Sequence, residues 1–189
     1  MTCIAAIADG ETVWMGGDRA SCRGDSIDAN AGPKVFIKEG IIFGVTGDAR
    51  VLQVVQHGLM VPPIGDESIE QYIAIKFINE LRRCAVHYGF MAGDGGSDKM
   101  DGRIMLGMSG SLFVISEWFA FTQVANGYEA IGCGENVARG VLYVMKGLNP
   151  EYHINDPSET IRTALSAAER HCSGVRDPFD ILALGKDDC

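Results

Sequence analysis

Thr2 directly follows Met1, which gives it a chemistry no internal threonine has. With Met1 removed, one residue carries both a hydroxyl and a free α-amine. A hydroxyl is a weak nucleophile without an adjacent base. A free α-amine titrates at about 7.7–8.0, so near neutral pH it can take the hydroxyl proton, directly or through one water. Threonine is also small enough for the preceding methionine to be cleaved. A Met-Thr start occurs in many chains without such a role, so the dipeptide alone specifies little.

Asp18 and Lys34 bear on the same chemistry. Asp18 follows Gly16-Gly17 at the end of an expected strand, and Lys34 opens another. A buried Lys34 beside Thr2 would disfavour further positive charge and keep the amine neutral, while Asp18 would hold and partly neutralise Lys34. Such a pair at a core edge is equally a structural device, and the residue types leave both readings open. Gly47 lies between an expected strand and an expected helix. It could aim its N–H at a developing oxyanion, although turn geometry also calls for a glycine there. Cys3 is a poor nucleophile candidate, since strand alternation sets it on the face opposite Thr2.

The elements that must position these residues follow from apolar spacing. Stretches 2–8 and 12–15 read as a hairpin about Asp9-Gly10, and 34–38 and 41–45 as a second about Glu39-Gly40. Between them, 18–32 is polar. Asp48 can cap a helix with Val51, Leu52, Val54, Val55 and Leu59 on one face. After Pro62-Pro63 and Gly65, a longer helix begins at Asp66 or Ser68 and carries Tyr72, Ile73, Phe77, Leu81 and Cys84. Stretches 103–108 and 112–116 form another expected hairpin, with 118–124 as the next strand. Gly132-Cys133-Gly134 then feeds a third helix, Asp156-Pro157 opens a fourth, and 179–184 closes as a strand. The order ββββ-αα-βββ-αα-β lacks the βαβ alternation of a parallel sheet. Two antiparallel sheets face to face, each covered by a helix pair, bury every apolar face: an α+β, four-layer αββα sandwich, expected as a single domain over 1–189.

Composition narrows the partners. The 189 residues include 16 basic and 25 acidic side chains, a formal charge of −9. Such a surface repels phosphate backbones and anionic membranes, so neither nucleic acid nor a membrane is an expected partner. Apolar runs fall far short of the ~20 residues a bilayer span needs. The first residues lack a basic signal-peptide segment, so a cytoplasmic location is expected. Six scattered cysteines without a CxxC pair read as reduced thiols, and four isolated histidines, His57, His87 and His171 among them, form no zinc motif. Asp94, Ser97, Asp98 and Asp101 offer oxygens to a cation but lack EF-hand spacing, and read as a solvated loop. No cofactor or metal is expected.

MTCIAAIADGETVWMGGDRAS, followed by PKVF and IIFGVTGDAR, resembles the proteasome β-subunit family of N-terminal nucleophile hydrolases. The likeness is greatest to the bacterial ring peptidase that pairs with a hexameric ATPase unfoldase, and to its shorter relatives in bacteria and their phages. It covers nearly the whole chain and is most specific over residues 2–48. It implies the αββα fold, Thr2 as nucleophile, Asp18 and Lys34 as its electrostatic partners, and Gly47 as oxyanion donor. The family's glycine-serine-glycine turn matches IGCGENVA, with Cys133 in the serine's place, where a thiol is a weaker hydrogen-bonding group. Ser173 keeps a serine near the last helix. The family's aspartate three residues before it is replaced by Arg170, for which Asp177 is a poor substitute. By the same resemblance Ser21, Cys22, Thr46 and Arg50 line the substrate pocket, and Arg50 favours an acidic substrate side chain. The implied activity is threonine-type endopeptidase. The implied partners are copies of the same chain in a ring or stacked rings, a peptide or unfolded protein substrate, and, in some relatives, an ATPase unfoldase. Apolar positions on the 69–84 helix could supply the assembly surface. A small-amide hydrolase on the same fold, or a non-catalytic shell subunit that keeps Met1, are the alternatives.

Overall fold

A computed structural model describes residues 1–23, 26–28, 32–92, 99–148 and 156–188. Asp94, Ser97 and Asp98 lie outside these residues. β1 (Cys3–Ala8) and β2 (Thr12–Asp18) form the first hairpin, and a small one, β3 (Ser21–Arg23) and β4 (Ser26–Asp28), follows. β5 (Val35–Lys38) and β6 (Ile41–Val45) pair next and lead into α1 (Ala49–His57). The helical run 69–88, α2, is α-helical over Ile69–Gln71 and Ile78–Tyr88, with a π-helical stretch at Tyr72–Phe77. β7 (Met91–Ala92) and β8 (Lys99–Met100) pair with each other, then β9 (Ile104–Met108), β10 (Ser111–Ile115), β11 (Phe121–Gln123) and β12 (Tyr128–Gly132) follow. α3 is Glu135–Leu142, extended by a π-helical stretch at Tyr143–Gly147. α4 (Pro157–His171) and β13 (Phe179–Gly185) complete the order.

The strands make two antiparallel main sheets, β12-β1-β2-β13 and β11-β10-β9-β6-β5. Alternation along β1 explains the layering. Cys3, Ala5 and Ile7 face α3 and α4, packing with Leu142, Ile161, Ala164, Leu165 and Ala168. Ile4, Ala6 and Ala8 face the other sheet, against Val35, Ile42 and Met105. On the far side, Phe43 and Val45 meet Val51, Val55, Tyr72, Phe77 and Leu81 of α1 and α2. The result is the expected αββα sandwich.

Boundaries moved where side-chain chemistry competes with pattern. β12 was not expected, because its YEAIG run carries a charge at Glu129; that charge is held by Arg139 at the sheet edge. The strand expected over 118–124 shortens to Phe121–Gln123, because the chain turns at 116–119 and Phe119 takes a left-handed φ of 62°. The polar 18–32 stretch contains the β3–β4 hairpin. Most of the apolar stripe on 69–84 is core, and Ile75 is its one large apolar side chain exposed to solvent.

Glycines set the spacing between the sheets. A Cβ on Gly107 would stand 2.5 Å from Ile42 Cγ2 and from Val13 Cγ1, and one on Gly44 would stand 2.5 Å from Ile4 Cγ2. Overpacking a core with one methyl costs about 1–3 kcal/mol. Gly107→Ala is therefore expected to lower the urea midpoint by that free energy with an unchanged m-value. No loss of stability would mean that the sheets can separate at no cost.

Candidate active site

Strand register brings the N-terminal residues together. Ile4 lies opposite Gly17, so the next pair along the ladder sets Asp18 beside Cys3. Asp18 is wholly buried, and both of its oxygens are used. Oδ1 accepts the Cys3 N–H at 2.8 Å and Oδ2 accepts the Ala20 N–H at 2.9 Å. Lys34 Nζ donates to both, at 3.2 and 3.1 Å. Lys34 immediately precedes β5, so this ion pair runs from one sheet to the other. Gly16 and Gly17 keep that end of β2 free of side chains: a Cβ on Gly17 would crowd Ile4 and Val35, and one on Gly16 would crowd Ile161.

Thr2 is itself buried. The Met1 carbonyl oxygen accepts two hydrogen bonds, from Thr2 Oγ1 at 2.7 Å and from Lys34 Nζ at 3.0 Å. One oxygen position is thus within reach of both the hydroxyl and the ammonium. The Met1 side chain packs against Gly174, next to exposed Ser173, which brings the chain after α4 to the same place. Burial among α3 and α4 pushes the Cys3 thiol far above its ordinary range, with Asp18 adding to the shift, so Cys3 stays protonated.

Two turns complete the surroundings. Cys133 N–H donates to the Thr2 carbonyl at 2.8 Å while its side chain is exposed. Gly132 adopts φ 104°, and a Cβ there would fall on the Thr2 carbonyl oxygen, so only glycine allows this approach. Gly47 adopts φ 101° at the end of β6 and presses against the Asp101 carbonyl, which accepts the Asp48 N–H at 3.0 Å. Among the described residues the Gly47 N–H has no hydrogen-bond partner. Thr46 is buried and tied to Arg103 by three hydrogen bonds: Thr46 N–H and Oγ1 donate to the Arg103 carbonyl, and Arg103 N–H donates to Thr46 Oγ1. Its hydroxyl is thereby occupied. Arg50 is exposed in the first turn of α1, and Ser21 and Cys22 lie on β3, exposed and half-buried respectively.

Glu135 was not singled out from the sequence. Its Oε2 accepts the Gly132 N–H at 3.0 Å and pairs with the Arg103 guanidinium. It thereby joins the turn that holds Thr2 to the segment that holds Thr46. An acidic residue in a first helical turn after a glycine-rich run was the available signal, but it is common to helix N-termini. Among the described residues no group of three or more His, Cys, Asp or Glu is arranged to hold a metal ion, and no helix is long and apolar enough to cross a membrane.

Two antiparallel sheets face to face, flanked by helices, make the sandwich of the N-terminal nucleophile hydrolase fold. Among solved structures, the chain matches BPH of Thiobacillus denitrificans with a TM-score of 0.78 at 14% identity, covering 98% of each chain. The same protein in complex with epoxomicin matches with a TM-score of 0.77 at 13% identity, over 97% of this chain and 98% of that one. HslV from Trypanosoma brucei matches with a TM-score of 0.68 at 19% identity, over 97% of this chain and 99% of that one. No protein-family model and no curated protein matches the sequence.

Removing one member of a buried ion pair leaves the other without a counter-charge and costs about 3–5 kcal/mol. Asp18→Asn is expected to destabilise the protein by that amount in urea unfolding. Adding Lys34→Met should recover a substantial part of the loss. Additive losses would show that the two side chains are not energetically coupled.

Proposed function

We propose that the protein is a threonine-type peptidase of the N-terminal nucleophile class, in which Thr2 acts after removal of Met1. The observation that carries this reading is the Met1 carbonyl oxygen, held at once by Thr2 Oγ1 and by Lys34 Nζ, whose charge Asp18 balances. A nucleophilic hydroxyl, a buried cation and a fully bonded carboxylate thus converge on the first peptide of the chain. The shared fold supports the same class.

In the chain with Met1 in place, the Thr2 nitrogen is an amide and cannot serve as a base. Once it is an amine, it accepts the Oγ1 proton as Oγ1 attacks the substrate carbonyl carbon. The Gly47 N–H, without a hydrogen-bond partner among the described residues, is the group assigned to the developing oxyanion. Collapse breaks the C–N bond, and the ammonium returns its proton to the departing amine. Water then attacks the threonyl ester with the same amine as base, releasing the acid and restoring the hydroxyl. Lys34 acts electrostatically, opposing protonation of its neighbour, and Asp18 keeps Lys34 in place. Cys133 holds the terminal residue through its N–H, and exposed Ser173 lies beside Gly174, against which Met1 packs.

Self-association into rings, and work on unfolded protein delivered by an ATPase partner, belong to the same proposal and rest on the fold shared with HslV. The second reading is a shell subunit with Met1 retained. It draws on the same two hydrogen bonds to Met1 and on the packing of its side chain against Gly174.

Intact mass separates the two readings. Protein from its native source is expected to lack Met1 and to take one peptide-epoxyketone adduct at Thr2; Thr2→Ala should take none. An unprocessed mass without adduct favours the shell subunit. Arg50, exposed and without an ion-pair partner among the described residues, is expected to favour acidic side chains at the cleavage site. Peptide-library cleavage should show that preference, and Arg50→Glu should reverse it; a wild-type preference for basic or bulky apolar residues would remove Arg50 from the pocket.

A further inference from the structure

Five cysteines are free among the described residues, and three of them gather behind Thr2. Cys172 Sγ donates to the Cys133 carbonyl oxygen at 3.7 Å. Cys3 Sγ lies under Gly134, where an added Cβ would stand 2.9 Å from it. Their environments differ. Cys3 is buried on β1 and its thiol is pushed far up, so it is chemically inert. Cys133 is exposed on the turn before α3, and Cys172 is half-buried at the C-terminal cap of α4, where its own N–H donates to Ala168.

We propose that Cys133 and Cys172 are a reversible disulfide pair, a redox modification site at the rim of the Thr2 pocket, with a low-molecular-weight disulfide as oxidant. The distance suits it. A carbonyl oxygen lies about 2.4 Å from its own Cα, so Cys172 Sγ is at most about 6 Å from the Cys133 Cα. The Cys133 side chain is exposed, so its χ1 rotates without displacing packed neighbours. Cys133 follows the last residue of β12 and Cys172 the last residue of α4, so both stand at element ends.

The exchange has two steps. The Cys133 thiolate attacks one sulfur of the oxidant, forming a mixed disulfide and releasing one small thiol. The Cys172 thiolate then attacks the Cys133 sulfur and releases the second. Two protein thiols are oxidised and one small disulfide is reduced to two thiols. The new bond would join the turn whose N–H holds the Thr2 carbonyl to the segment against which Met1 packs, linking two walls of the same pocket.

The pairing is independent of any nucleophilic role for Thr2, so it stands or falls apart from the peptidase reading. The test treats wild type and Thr2→Ala with glutathione disulfide, followed by mass mapping without reduction. Both are expected to yield one cross-linked peptide pair joining Cys133 to Cys172, with the loss of two titratable thiols and full recovery in dithiothreitol. In Cys172→Ser the intermediate should be trapped as a glutathione adduct on Cys133. Separate glutathione adducts on Cys133 and Cys172 of the wild type, or both thiols left unmodified, would overturn the proposal.

Discussion

A carboxylate with no solvent exposure, Asp18, stands where the two sheets meet, and the arrangement around Thr2 depends on its being satisfied. Burying that charge is unfavourable unless every lone pair finds a donor. Two backbone N–H groups and the Lys34 ammonium supply them. Each donor comes from a different piece of chain: the start of β1, the bend after β2, and the residue before β5. Satisfying one carboxylate therefore fixes three backbone segments from both sheets. The first peptide of the chain is held at their junction.

Such a junction needs the layers to approach closely, and small residues permit it. Gly16 and Gly17 on β2 leave room for Ile161 on one side and Ile4 and Val35 on the other, while Gly44 and Gly107 do the same between the sheets. Side chains at these positions would push the layers apart and lengthen the reach from Lys34 to Asp18. The glycines of this chain thus serve two purposes. Gly16, Gly17, Gly44 and Gly107 set distance, and Gly47 and Gly132 take positive φ values so that backbone can meet backbone.

A second ion pair, Arg103 with Glu135, joins the sheets at the same end of the sandwich. It acts on backbone rather than on the Thr2 hydroxyl. Glu135 fixes the turn that receives the Thr2 carbonyl, and Arg103 carries the main-chain bonds to Thr46, next to Gly47. Its partial exposure makes it a weaker clamp than the buried pair, since water screens it. Together the two pairs fix the segment around Thr2 and the segment around Gly47 at one end of the sandwich. The thiols behind Thr2 add a different kind of chemistry to this frame, one governed by their access to solvent.

The layer architecture was legible from the sequence because strand and helix periodicities are local. β1 is apolar on both faces, the Asp9-Gly10 and Glu39-Gly40 turns mark hairpins, and Asp48, Ser68 and Asp156 cap helices as their types suggest. The residues Thr2, Asp18, Lys34 and Gly47 could be picked out from type and order along the chain. What they do to one another could not, because it depends on strand register and on which sheet faces which. Only the tertiary structure set Asp18 beside the Cys3 N–H, carried Lys34 across from the other sheet, and gave Glu135 a task at Gly132. β12 escaped because Glu129 breaks its apolar pattern, and its edge position and Arg139 supply the compensation that no local window contains. Local chemistry determined the elements. Long-range hydrogen bonding between their ends determined the site.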